Sequence, residues 1–267
     1  MNGIIKRDAN RILLTMAPAT AGERKVAIAI AAVSFLLFVG FLPFVRVPLA
    51  RLPAFIPSYE AALFFIDLIT SILLFDQYAR LRSVSLLCLA TGYLFDALMI
   101  VPHALSFPGA FAPTGLLGAK EQTTAWLYVF WHGGFPLFVI AYALLRRRPV
   151  SGRAASGAWR PIVACIVGSA LLTIGLALFA TAGHDMLPVV MQGSDYSLLV
   201  SKGISPAVWL LTLVAMIALW ERKQRALDLW LMLVMWIWLF DIALAAVIGS
   251  TRFDLGFYAG RMFGLIA

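Results

Sequence analysis

The stretch Tyr-Val-Phe-Trp-His-Gly-Gly-Phe-Pro, Tyr128 to Pro136, sets an ionisable imidazole, His132, beside Gly133, Gly134 and Pro136 in the middle of a long apolar run. In a helix Pro136 has no amide proton for the carbonyl of His132, and the paired glycines let a neighbouring backbone or ligand come close. An imidazole at such a weakened turn can take up or release a proton near neutral pH. Three carboxylates able to share that proton stand in other apolar runs: Asp67, Asp96 and Asp241. Glu60 precedes Asp67 by seven residues and His103 follows Asp96 by seven. At that spacing each pair shares one helical face to within about 20°.

The elements that hold these groups follow from composition. Of 267 residues 62% are apolar and 13% charged, and the mean hydropathy is +0.93, far above a soluble domain. We read an all-α, polytopic transmembrane helical bundle with seven spans plus the start of an eighth. The spans fall near Val26 to Val45, Ser58 to Tyr78, Ser83 to His103, Gln122 to Leu145, Pro161 to Ala182, Leu199 to Trp220 and Leu227 to Ser250. Each is close to the ~20 residues that cross a hydrocarbon core. The eighth begins near Leu255 and reaches Ala267 after about 20 Å, short of a ~30 Å core, so its continuation is expected beyond Ala267. Residues 1–25 form a cytoplasmic N-terminal segment and 26–267 one integral-membrane domain. Cys88 and Cys165 lie in apolar runs without disulfide or metal spacing, and no internal repeat is visible.

The net charge of +8 reflects membrane topology, with no nucleic-acid partner implied. Fifteen of the twenty-one basic residues fall on one side: Lys6, Arg7, Arg11, Arg24 and Lys25, then Arg80 and Arg82, then Arg146, Arg147, Arg148, Arg153 and Arg160, then Arg222, Lys223 and Arg225. Retention of basic loops in the cytoplasm places the N-terminus there. On that topology Asp67, Asp96, His132 and Asp241 all lie about 10 to 15 Å deep, near the midplane, with Glu60 and His103 in a second layer above them. Charged groups are costly in hydrocarbon and pair inside a bundle or a wet cavity, so one connected cluster is expected, as a binding or sensing site or as interhelical packing.

No metal site is assigned. His103 and His132 are about 15 Å apart along the membrane normal if both helices are straight, too far for one haem, and the cofactor is unknown. His184, Asp185 and Asp195 fall in a solvated loop, and Trp126, Tyr128, Trp131, Trp230, Trp236 and Trp238 suit packing or interfacial anchoring. Pro102 precedes His103 at a helix end. The turn-rich run Ser106 to Gly118, with Phe107, Pro108 and Gly109, is expected to fold over the mouth of the third and fourth spans, as a lid or a plain loop. No nucleophile motif, phosphate loop or dinucleotide fingerprint is present, so we read no enzyme here.

Four segments carry a family resemblance: Tyr59 to Tyr78, Gly92 to Phe111, Ala125 to Pro136 and Gly256 to Arg261. Together they resemble the fourth type of bacterial membrane-associated sensor domain, the MASE group, over about Val26 to Ala267. The resemblance implies an input module in the bacterial inner membrane, lodged in the lipid bilayer and placed before a cytoplasmic diguanylate cyclase (GGDEF) or histidine kinase. A homodimer stays open. Positions matching the family pattern are Tyr59, Asp67, Asp96, His103, the Phe107 to Phe111 loop, Trp126, His132, Gly134, Pro136 and Arg261. Two other readings of the buried cluster remain: a proton-coupled small-molecule transporter, and a haem- or metal-binding redox protein.

Overall fold

A computed structural model describes residues 17–146, 157–220, 225–249 and 251–267. Much of the basic side, namely Lys6, Arg7, Arg11, Arg147, Arg148, Arg153, Arg222 and Lys223, lies outside the described residues. So does most of the N-terminal segment 1–25.

The first helix, α1 (Ala21–Phe41), starts earlier than Val26 because Thr20 caps it. The Thr20 hydroxyl accepts from the Glu23 amide at 3.2 Å while the Glu23 carboxylate accepts from the Thr20 amide at 2.7 Å, a reciprocal pair that satisfies two end donors. A turn at Leu42–Phe44 follows. Then come α2 (Phe55–Leu81), α3 (Val84–Ser106), α4 (Thr123–Leu145) and α5 (Trp159–Thr181). All match expected spans.

The sixth span does not form as one helix. Its residues divide into α6 (Ser197–Ser201) and α7 (Ile204–Ala218), separated at Gly203, whose φ of 75° ends the first piece. The 15 residues of α7 rise only about 22 Å. Among the described residues six helices are therefore long and apolar enough to cross a membrane, in place of the seven expected, and α7 and the final helix are shorter apolar ones. The last long element is α8 (Ala226–Ile242), which runs on into a π-helical turn, Ala243–Ile248, before α9 (Leu255–Ile266).

Burial orders these elements. The apolar windows of α3 and of α8 with its π turn are 61% and 72% buried, whereas those of α1 and α5 are 11% buried. The site therefore rests on α2, α3, α4 and α8, while α1 and α5 turn residues such as Leu36 and Leu171 outward, as lipid contact requires. Glycine sets the closest approach: the Phe95 ring of α3 lies where a Cβ on Gly134 would stand, and Phe138 of α4 does the same at Gly92. We call upper the end of the bundle that carries the 106–118 loop. There the Leu116 amide donates to Leu105 O at 2.7 Å, which folds the loop back on α3 as expected. Residues 45–49 pair with 253–256 at the start of α9, and at the lower end Pro18 bridges to Arg225.

Candidate functional site

Asp67 from α2, Asp96 from α3, His132 from α4 and Asp241 from α8 line one cavity of about 80 Å³ with Tyr59 and Trp131. All four are buried. The expected common layer thus exists as a single chamber, large enough for several waters at about 10–15 Å³ each. Asp67 and Asp96 meet carboxyl to carboxyl, and the Trp131 indole lies beside Asp96 without an aligned hydrogen bond. Two carboxyls in contact share a proton, since like charges cannot both stay ionised there.

His132 has a defined hydrogen-bond logic. Its Nδ1 lies 3.1 Å from the Tyr128 carbonyl oxygen, which can only accept, so Nδ1 carries a proton. Its Nε2 lies 3.3 Å from Asp241 Oδ2, and that contact holds one proton, on the imidazole or on the carboxyl. The rings of Tyr128 and Trp238 stack against the imidazole, with centroids 3.8 and 5.1 Å away. Trp131 and Trp238 thus pack against the imidazole, while Trp126 donates to the Pro188 carbonyl and Trp236 to that of Ala31. Asp241 Oδ1 and Asp96 Oδ1 have no protein hydrogen-bond partner, so water or a carboxyl proton must satisfy them.

The second layer is a separate pair. His103 Nδ1 and Glu60 Oε1 are 2.7 Å apart and both residues are buried, above the chamber and outside its lining. The two histidines are closer than straight-helix arithmetic allows. Both rings pack against Tyr128 and Trp131, with His103 at 6.5 and 5.6 Å from them and His132 at 3.8 and 4.6 Å. The 15 Å separation is therefore corrected. Pro102 sits inside α3, which continues to Ser106, and Phe107 ends it with its ring buried against Phe257. Pro108 and Gly109 line an upper cavity of about 390 Å³, Gly109 at a φ of 81°. A Cβ on Gly133 would stand in ordinary van der Waals contact with Val208 of α7, 3.8 Å away, and Pro136 is buried within an unbroken α4. Arg261, on α9, is buried and stacks 3.6 Å over Phe257.

The chain matches the family model described as MASE4, membrane-associated sensor, integral membrane domain, over residues 50–267. It belongs to that family. No curated protein and no solved structure matches the chain. The match begins after α1, so the buried cluster lies wholly within the MASE4 region and the most exposed N-terminal helix lies outside it.

Two features of this MASE4 domain were missed from sequence. Gly256, Gly260 and Gly264 recur every four residues and form the face by which α9 meets the end of α8. A Cβ on Gly260 would stand 3.0 Å from Asp241 Oδ1, and one on Gly264 3.1 Å from Asp241 Oδ2 and 2.9 Å from the Tyr59 hydroxyl. The spacing of four was the available signal. The other feature is a lower network: Tyr142 donates to Asp228 Oδ1 at 2.6 Å, Arg146 pairs with Asp228 Oδ2 at 3.0 Å, and Arg146 also donates to the carbonyls of Ala218 and Leu219. It ties α4, α7 and α8 together at their lower ends.

Proposed function

We propose that this sensor domain registers its stimulus as a change of charge or hydrogen bonding at the His132–Asp241 pair, and that α9 carries the change to a cytoplasmic output domain joined in cis. One observation carries the reading. Asp241 is the shared neighbour of the imidazole and of the last helix, touching His132 with Oδ2 and facing Gly260 and Gly264 with both oxygens. Because the glycines leave no side chain between them, a move or rotation of the carboxyl is felt by the α9 backbone. Coupling of this kind needs two packings with different affinity for the stimulus, and helix shifts of about 1–2 Å are the usual scale.

The resemblance supports a bacterial inner membrane as the location, and the basic loops favour a cytoplasmic N-terminus and a lower end facing the cytoplasm. A diguanylate cyclase or histidine kinase is the output the resemblance supports, with a homodimer as the assembly in which both read the signal. The chamber of about 80 Å³ suits water and protons better than a transported solute.

The test uses the chain joined to its natural output domain, with His132→Phe and Asp241→Asn compared with wild type. Both variants are expected to hold output at one level across the conditions that move the wild type. Wild-type responses from both would remove the pair from the mechanism.

A further inference from the structure

We propose that the upper end of the domain holds a receptor site for a small organic carboxylate, gripped between Arg252 and Arg261. Two upper cavities, of about 40 and 390 Å³, adjoin at Phe107 and Arg252, which line both. Arg261 joins Arg252 in the smaller one. Arg261 is 8% exposed, and its Nη1 donates to Phe257 O at 3.0 Å. Arg252 lies over the Phe107 ring at 5.1 Å and reaches Met191 Sδ at 3.3 Å. These contacts use few of the ten N–H groups that two guanidiniums offer.

Neither arginine has a carboxylate within ion-pair distance among the described residues, and no acidic residue lines either cavity. The acids nearby are engaged elsewhere: Glu121 accepts from the Gly193 amide, Asp195 from Ser197 and Asp254 from Phe257. Two like charges facing one cavity, Arg261 buried and Arg252 partly buried, call for an anion. Burial and the Arg261 charge lower the Arg252 value to about 10, in keeping with that need.

An independent observation points the same way. The hydroxyls of Tyr128 and Tyr196 line the smaller cavity, are buried, and have no hydrogen-bond partner. Two guanidiniums and two unpartnered hydroxyls, each able to donate, give the smaller cavity an excess of donors. A carboxylate is acceptor-only, with about four lone-pair positions in one plane, and that plane matches the guanidinium fork. The smaller cavity takes this head group, while the larger one, within the roughly 300–1,000 Å³ usual for small molecules, takes an apolar body against Phe107, Phe253 and Pro108. Arg51, stacked on Phe253 at 5.3 Å, adds a third positive charge at the entrance.

The inference adds a ligand class to the sensor reading, and its test does not depend on that reading. Purified full chain in lipid nanodiscs is titrated calorimetrically with benzoate, acetate, inorganic phosphate and uncharged benzamide. Saturable binding of benzoate, weaker binding of acetate and none of benzamide are expected. Arg252→Gln and Arg261→Gln should each weaken benzoate at least tenfold, and Tyr196→Phe and Arg261→Lys several-fold, the lysine keeping charge but losing the fork. If a glutamine variant does not fold, the Tyr196→Phe and Arg261→Lys ratios decide. No saturable carboxylate binding, binding of phosphate alone, or wild-type affinity in the variants that fold would overturn the proposal. Binding failure leaves the His132 reading standing, and an unchanged response in His132→Phe leaves the arginine site standing.

Discussion

In the proposed mechanism a single proton between His132 Nε2 and Asp241 Oδ2, with Nδ1 fixed by a carbonyl, makes the pair the two-state element. These residues were legible in the sequence, because an ionisable group inside an apolar run has few reasons to be there other than a buried partner. Arg146 and Asp228 were not, since a basic residue at the end of a span is normally a topology marker. They are instead buried and paired, and they tie α4, α7 and α8 together at the lower end. Asp228→Ala, which strands a buried guanidinium, is expected to cost about 3–5 kcal/mol, and Tyr142→Phe about 1 kcal/mol. Thermal unfolding in nanodiscs reads both, and equal small effects would contradict the network. Arg252 behaves oppositely. With its value lowered to about 10 by burial and by Arg261, its favourable contribution exists only above the ordinary value of 12.5 and is lost as pH falls through about 10. At neutral pH its charge is a cost, so without added anion Arg252→Gln should not lower the unfolding temperature, whereas Arg146→Gln should. A fall in both by the same amount would show that Arg252 is a structural ion.

Among the elements, α2 to α5 and α8 were readable from length and hydropathy, since each is a long apolar run between turn or basic residues. The broken sixth span was not, although Lys202 and Gly203 mark the break, because an apolar run of that length reads as continuous. The π turn after Asp241 was not readable either. A wider helical turn is set by what packs on it, here α9 with its glycine face, and no residue preference announces it. That glycine face gives a sharp expectation. Gly264→Val must push α9 away from Asp241 and Tyr59, so it should change output in the fused chain as strongly as Asp241→Asn while the protein still inserts. Normal output in a correctly inserted Gly264→Val chain would rule out α9 as the transmitter. Gly134→Ala collides with the Phe95 ring and is expected to cost roughly 1–3 kcal/mol by thermal unfolding.

For the molecule as a whole, the bundle has a buried polar axis running from Arg261 and His103 through His132 and Asp241, with Asp228 and Arg146 at the lower end, and a rim of lipid-facing helices around it. Its orientation is testable in a Cys88→Ser, Cys165→Ser background. A cysteine at exposed Thr114 should react with a membrane-impermeant maleimide in intact cells, and one at Arg160 only after lysis; the reverse order would invert the topology. The link from polar axis to last helix is open to a distance measurement that needs no knowledge of the stimulus. Spin labels on the exposed positions Ile266 of α9 and Val84 of α3 report their separation by pulsed dipolar spectroscopy in nanodiscs. Asp241→Asn and His132→Phe should each shift that distribution by about 1–2 Å relative to wild type, the scale of a helix shift. Superimposable distributions in all three proteins would contradict transmission through α9.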